Sequence, residues 1–293
     1  MGSQRSAAVG ARVTPTEHPP HIPLSEEENP MRRQHPSWNS ATSLTDQVIV
    51  VTGAASGIGR ATAEECALAG AQVVTVDRNA EGLKETRGLI EQAGGAAPIG
   101  ELVADLADHA AVESAIAKLA QYEPDHLFHA AGLIIRRDDI NDVTLDDWDL
   151  QVSVNQRASW FLTRGFCRQL IARDRAGSVV LVSSISGHLG LMSGSWVYAS
   201  TKAGVSSMTK GFAKTFGSHG IRVNAVAPGL VETPMVRGGV RSKEVDDLIN
   251  TSVPLRRTAD PVEIARASMF LLSDAASFIT GVTLDVDGGW LRR

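Results

Sequence analysis

From about residue 47 onward, short runs of consecutive apolar residues alternate with longer stretches whose apolar positions recur every three or four residues. The first run, VIVV at 48–51, ends at a glycine, and 58–69 follows with helical spacing. AQVVTVD at 71–77 and the segment 81–94 repeat the pair, as do 101–106 and 110–119. DHLFHAAG at 125–132 precedes a long helical stretch, 144–174, which opens with the capping-box spacing Thr144 to Asp147. SVVLVSS at 178–184 reads as another buried strand, a further helix follows it, and 221–229 and 282–289 supply two more strands. Strands that alternate with helices in this way build βαβ units around a parallel sheet. The pattern predicts one doubly wound, Rossmann-like α/β domain with a seven-stranded parallel sheet, spanning residues 45–293. Ligands of such sheets bind outside the carboxyl ends of the strands, so residues with chemistry are expected just after each strand.

Residues 1–44 break this pattern. Half of the 12 prolines lie there, among Ser, Glu and His. Such a stretch buries too little apolar surface to offset its ordering entropy, so a disordered extension is expected. Its acidic run, Glu26 to Glu28, argues against a transit peptide. The net charge of -5 gives no basic footprint for nucleic acid. No apolar run is long enough to span a membrane. The two cysteines, Cys66 and Cys167, do not make a disulfide framework, and a reducing cytoplasm is the expected location. No metal site is expected.

The chemistry begins with TGAASGIG at 52–59, directly after the first strand and opening the first helix. Gly53, Gly57 and Gly59, with Ser56 and Ile58 between them, let backbone N–H groups approach a pyrophosphate at a helix N-terminus. Asp77 ends the second strand, where an acid binds the ribose hydroxyls of an adenosine. It favours NAD, since a 2′-phosphate would meet a carboxylate; Arg78 beside it is the opposing signal.

A second constellation lies further along. Tyr198 and Lys202 in YASTK are four apart, on one helix face. A free tyrosine has a pKa of about 10, too high for a base at neutral pH. An ammonium about 4 Å away, at an effective dielectric of about 20, contributes roughly 4 kcal/mol toward the phenolate. Desolvation opposes this, and a value near 7 to 8 suits acid–base work.

With the TGxxxGxG spacing, the acid after the second strand and the Y-x-x-x-K pair in order, the chain from about residue 45 resembles the short-chain dehydrogenase/reductase family. The resemblance implies hydride transfer between a nicotinamide and a carbinol carbon, with Tyr198 as acid–base. It implies that Lys202 also holds the nicotinamide ribose, that Ser184 bonds the reacting oxygen, and that Asn155 holds a proton-relaying water. Ser183 and Ser186 stand close enough to compete with Ser184 for that role. It further implies adenine contacts from Asp105 and Leu106, a ribose-side backbone at Ala131 and Gly132, and a carboxamide-holding stretch at Pro228, Gly229, Val231 and Thr233. His129 and Ala130 stand where the family usually carries two asparagines, and His129 reads as a packed structural residue.

Two further stretches, AGLIIRR at 131–137 and the C-terminal VDGGWLRR, are similar to the 2-dehydro-3-deoxy-gluconate 5-dehydrogenases and gluconate 5-dehydrogenases. That similarity implies a small sugar acid or polyol as substrate and a homo-oligomer, dimer or tetramer, as the assembly. Arg136, Arg137, Arg237 and Arg241 fall after the fourth and sixth strands, where a guanidinium suits a substrate carboxylate. His188 is a further pocket candidate. The competing readings are an NADPH-dependent reductase of 3-oxoacyl thioesters and a non-catalytic nucleotide sensor.

Overall fold

A computed structural model describes residues 36–190, 194–237 and 243–291, with 236, 237 and 243–245 described by their backbone alone. Seven parallel strands form one sheet in the order β3-β2-β1-β4-β5-β6-β7. They are β1 (Val48–Thr52), β2 (Gln72–Asp77), β3 (Gly100–Val103), β4 (His126–His129), β5 (Gly177–Val182), β6 (Ile221–Pro228) and β7 (Thr283–Val286). The order reverses between β1 and β4, which opens a crevice at their carboxyl ends.

Alternation along the strands builds two cores. Val50, Val74, Leu127, Val179 and Val223 face α4 (His109–Leu119), α6 (Ala158–Ala172) and α8 (Trp196–Phe216). Ile49, Val51, Val73, Phe128 and Val180 face α2 (Gly57–Leu68), α3 (Ala80–Gln92) and α9 (Pro261–Leu272). The predicted single doubly wound domain is therefore the observed one. The Thr144–Asp147 capping box is present at the start of α5 (Leu145–Val152). The long helical stretch stays helical from Leu145 to Ala172, but not as one regular α-helix. A π-turn, Ser153–Arg157, separates α5 from α6 and carries Asn155.

Residues 1–35, which hold most of the expected disordered extension, lie outside the described residues. The segment from Ser37 to Leu44, expected to belong to that extension, is instead part of the domain's compact unit. Ser37 caps the short helix α1 (Trp38–Ala41), Trp38 stacks on Phe270 with centroids 6.4 Å apart, and Leu44 is 1% exposed. Its few apolar residues find partners on the domain that composition alone does not reveal.

Two buried histidines sit at either end of β4. His126 Nδ1 lies 2.8 Å from Ser178 Oγ and its Nε2 lies 3.2 Å from Gln47 Oε1. Burial pushes its pKa down to about 4. His129 Nδ1 lies 2.8 Å from Thr52 Oγ1, which also accepts from Ala131 N. Its Nε2 has no partner among the described residues. Burial, helped by the Lys202 charge, pushes it down to about 3. His129 is thus the packed residue expected, bracing the turn after β4.

Candidate active site

The glycine loop is shaped by close approaches. Gly53 has φ +70°, and a Cβ there would lie 2.8 Å from Ala131 N, so the turn after β1 rests directly on the turn after β4. A Cβ on Gly59 would collide with the Gly53 carbonyl. Thr233, arriving from β6, lays its methyl against Gly57. Ser56 precedes α2 without a side-chain cap. The N–H groups of that first turn are therefore left to a ligand, in the arrangement that suits an anion.

These residues open onto a cleft. Gly53, Ser56, Gly57, Ile58, Gly59, Asp77, Asp105, Leu106, Ala131, Gly132 and Thr233 all line it, as the sequence led us to expect. Asp77 is fixed in place: Oδ2 accepts from Ala55 N at 3.2 Å and Oδ1 from Asn79 N at 2.9 Å. Arg78 also lines the cleft. Pro228, Gly229 and Val231 do not. Pro228 O accepts from Ile185 N, Gly229 N donates to Val286 O, and Val231 bridges to Ala259. They build the turn that delivers Thr233. Sequence reasoning missed Ala104, Leu133, Val154, Pro234 and Met235, which line the cleft with apolar surface and backbone and so carry no chemical signature.

The second constellation gathers beside Gly132. A Cβ there would lie 3.3 Å from both Asn155 Oδ1 and Lys202 Nζ, so the two side chains close tightly on this turn. Asn155 is fully buried. Its Oδ1 accepts from Leu133 N at 2.8 Å, and its Nδ2 donates to Leu133 O at 2.9 Å and Thr201 Oγ1 at 3.1 Å. Of the three competing serines, Ser184 is the one hydrogen-bonded to the Tyr198 phenol. Its Oγ also accepts from Ser186 N at 3.1 Å. Ser183 is turned away, its Oγ bonded to Lys202 O and Ser206 Oγ, both at 2.8 Å. Ser186 opens α7 (Ser186–Leu189).

The expected tuning of Tyr198 by Lys202 is not what the geometry gives. Burial is the largest influence on the phenol and raises its pKa; the Ser184 hydrogen bond and then the Arg136 charge lower it. Lys202 Nζ instead donates to Val182 O at 2.7 Å and lies 5.6 Å from the centroid of the Tyr198 ring. Burial pushes its own pKa down to about 8. A spacing of four puts both residues on one helix face, yet the lysine head reaches past the ring to a strand carbonyl.

The substrate candidates separate in the same way. Arg136 is exposed, its charge is felt at Tyr198, and it has no ion pair among the described residues. Arg137 is committed elsewhere: Nε donates to Asp147 Oδ2 at 2.8 Å and Nη2 to Oδ1 at 2.6 Å. It is a structural arginine, contrary to the expectation from its position. His188 Nε2 lies 3.9 Å from Asp285 Oδ1 on β7. The side chain of Arg237 and the whole of Arg241 lie outside the described residues.

A cleft lined by a glycine loop and Asp77, with a Ser–Tyr–Lys–Asn cluster gathered beside its Gly132, fits a nicotinamide-dependent oxidoreductase. The family comparison agrees. Residues 53–291 match a family model described as enoyl-(acyl carrier protein) reductase. The oxidoreductase UcpA of Salmonella typhimurium is 34% identical over 255 residues, 84% of this chain and 95% of that protein. Among solved structures, a protein from Beutenbergia cavernae described as an NAD(P)-dependent gluconate 5-dehydrogenase, with bound NADP at low occupancy, is 36% identical. It superposes with a TM-score of 0.81 over 86% of this chain and 100% of its own. A 2-deoxy-D-gluconate 3-dehydrogenase, so described, from Agrobacterium tumefaciens, with bound NADP, is 35% identical, with a TM-score of 0.79 over 86% of this chain and 99% of its own. The chain belongs to the short-chain dehydrogenase/reductase family, whose members use NAD or NADP. No helix among the described residues is long and apolar enough to cross a membrane.

Proposed function

We propose that the protein is an NAD-dependent dehydrogenase that interconverts a secondary alcohol and a ketone on a small sugar acid or polyol. The observation that carries this reading is the cluster at Tyr198: a phenol bonded by Ser184 and acted on by the charge of Arg136, which has no ion pair among the described residues. When bound, the nicotinamide supplies or accepts the hydride. The chain's own residues do the rest. Gly53, Gly57 and Gly59 give a pyrophosphate room at the α2 N-terminus. Ser184 and Tyr198 hold the reacting oxygen, and Tyr198 moves the proton at it. Lys202 and Asn155, converging at Gly132, support the nicotinamide side of the cleft and connect the phenol to solvent protons. Arg136 pairs with the substrate carboxylate.

Asp77 supports NAD. Its carboxylate is held by two backbone N–H groups at the edge of the cleft, where a 2′-phosphate would face it. The NADP bound by the two gluconate-type neighbours and the cleft-lining Arg78 favour the other cofactor and, with the reductase description of the family model, a second reading: an NADPH-dependent reductase of 3-oxoacyl thioesters. The exposed Leu145, Trp148 and Trp160 on α5 and α6 support a homo-oligomer. Absorbance at the nicotinamide band, followed with both cofactors against D-gluconate, alditols and 3-oxoacyl thioesters, tests the proposal. Turnover of sugar acids or alditols with NAD sustains it, and activity confined to thioesters with NADPH replaces it with the second reading.

A further inference from the structure

Three buried polar side chains on one helix face each have a partner in the same loop. Asp147, Gln151 and Asn155 are 6%, 1% and 0% exposed and recur every four residues along α5 and the π-turn. Asn155 brackets the Leu133 N–H and C=O at 2.8 and 2.9 Å. Gln151 Oε1 accepts from Ile135 N at 3.0 Å. Asp147 grips the Arg137 guanidinium at both oxygens. The loop residues held are thus 133, 135 and 137, running opposite to the helix. The two repeats are commensurate. Four residues of helix rise about 6.0 Å, and two residues of extended chain cover about 6.6 Å. Burying three polar groups is costly unless each is satisfied, and here their satisfaction fixes this loop. Arg137 N also donates to Gly194 O at 3.1 Å, which pins the far end.

Ile134 and Arg136 lie between these held residues, so the backbone that carries them is fixed at 133, 135 and 137. From that position the Arg136 charge acts on Tyr198.

We propose that Gln151 and the Asp147–Arg137 pair are positioning residues for substrate selection: by holding alternate residues of the loop, they aim Arg136 and Ile134 at the reacting centre and so set the preference for an anionic over a neutral substrate. This inference rests on the proposed role of Arg136 as the carboxylate anchor. Neither Gln151 nor Arg137 touches substrate in it.

The test compares kcat/KM for D-gluconate and for D-glucitol, which lacks the carboxylate, in the full-length enzyme. NAD affinity and melting temperature, measured beside it, identify any variant that is misfolded. Arg136→Ala should lower the gluconate-to-glucitol ratio roughly 10- to 150-fold, the worth of a charged hydrogen bond. Arg137→Ala and Gln151→Ala should each lower it by about 3- to 30-fold, through a higher KM for gluconate and with glucitol turnover retained. Arg137→Lys, which keeps a charge for Asp147, should recover part of the loss. The double variant R136A/R137A should match R136A alone, because a positioning residue has nothing left to position. A double variant whose ratio falls by the product of the two single effects makes Arg137 an independent anchor and overturns the inference. So does an unchanged ratio in both R137A and Q151A while R136A loses it. A wild type that does not prefer gluconate, or an R136A without effect on the ratio, overturns the anchor reading and this inference with it.

Discussion

Replacing Lys202 with methionine should make the protein harder to unfold at neutral pH while abolishing its activity. The lysine is 4% exposed and its ammonium donates to a single carbonyl, Val182 O. Burial pushes its pKa from 10.5 down to about 8. A displacement of about 2.5 pH units corresponds to about 3.4 kcal/mol, at roughly 1.36 kcal/mol per unit. The unfolded chain keeps this proton up to its ordinary pKa, whereas the folded chain releases it near 8. The penalty is therefore complete below that lower value and fades as the pH rises toward the upper one. Removing the donor also leaves Val182 O unpartnered, at roughly 1–3 kcal/mol. The variant's net gain at pH 7 is then about 0.5–2.5 kcal/mol, or a few degrees in Tm for a domain of this size. Its pH dependence does not share that offset. Between about pH 7 and 9.5 the wild type should recover about 2 kcal/mol relative to the variant. Urea unfolding of both proteins at the two pH values reads this directly. A gap that stays constant or widens would refute the assignment of Lys202 as a charge held at the expense of the fold.

Tyr198→Phe should bind NAD nearly as well as the wild type yet lose at least the roughly 10² to 10⁴ in turnover expected of a missing general acid–base, as single-turnover kinetics would measure. Alcohol oxidation by the wild type should climb with pH above neutrality, because burial raises the phenol's pKa and the base form is the reactive one. Asp77→Ala should shrink a preference for NAD of at least about tenfold, worth about 1.4 kcal/mol; steady-state kinetics showing the wild type to prefer NADP would assign the choice to Arg78. Removing residues 1–36 should leave Tm and turnover unchanged, whereas a chain starting at Thr45 loses the Trp38–Phe270 stack and buried Leu44, and should be less stable by at least about 2 kcal/mol in urea unfolding.

The sheet was legible because its strands are short, mostly apolar runs set between helical stretches, and the cofactor cleft because glycine and aspartate act there through backbone room and charge. What escaped the sequence was direction. Ser183, Ser184 and Ser186 differ only in where a turn aims them, and the bond to Tyr198 decides between them. Arg136 and Arg137 are chemically identical neighbours, yet the second is claimed by Asp147, ten residues away in sequence. The four-residue spacing of Tyr198 and Lys202 fixed a shared face but not the reach of a flexible lysine, which finds Val182 O on a strand. Ser37 to Leu44 escaped for a related reason: a polar, proline-flanked segment still docks where the domain offers Phe270 to its one tryptophan.

The paired histidines of β4 give the protein an acid limit. Both are held neutral, His126 down to about 4 and His129 down to about 3, whereas the same imidazoles in an unfolded chain take up protons from their ordinary 6.5 downward. Every step below that value therefore rewards unfolding. At pH 5 the two together withdraw about 4 kcal/mol, a large share of the roughly 5–15 kcal/mol that holds a domain folded. Handling at pH 5 or below, such as acid elution or storage in acetate, is thus predicted to inactivate the protein through its sheet and not through Tyr198.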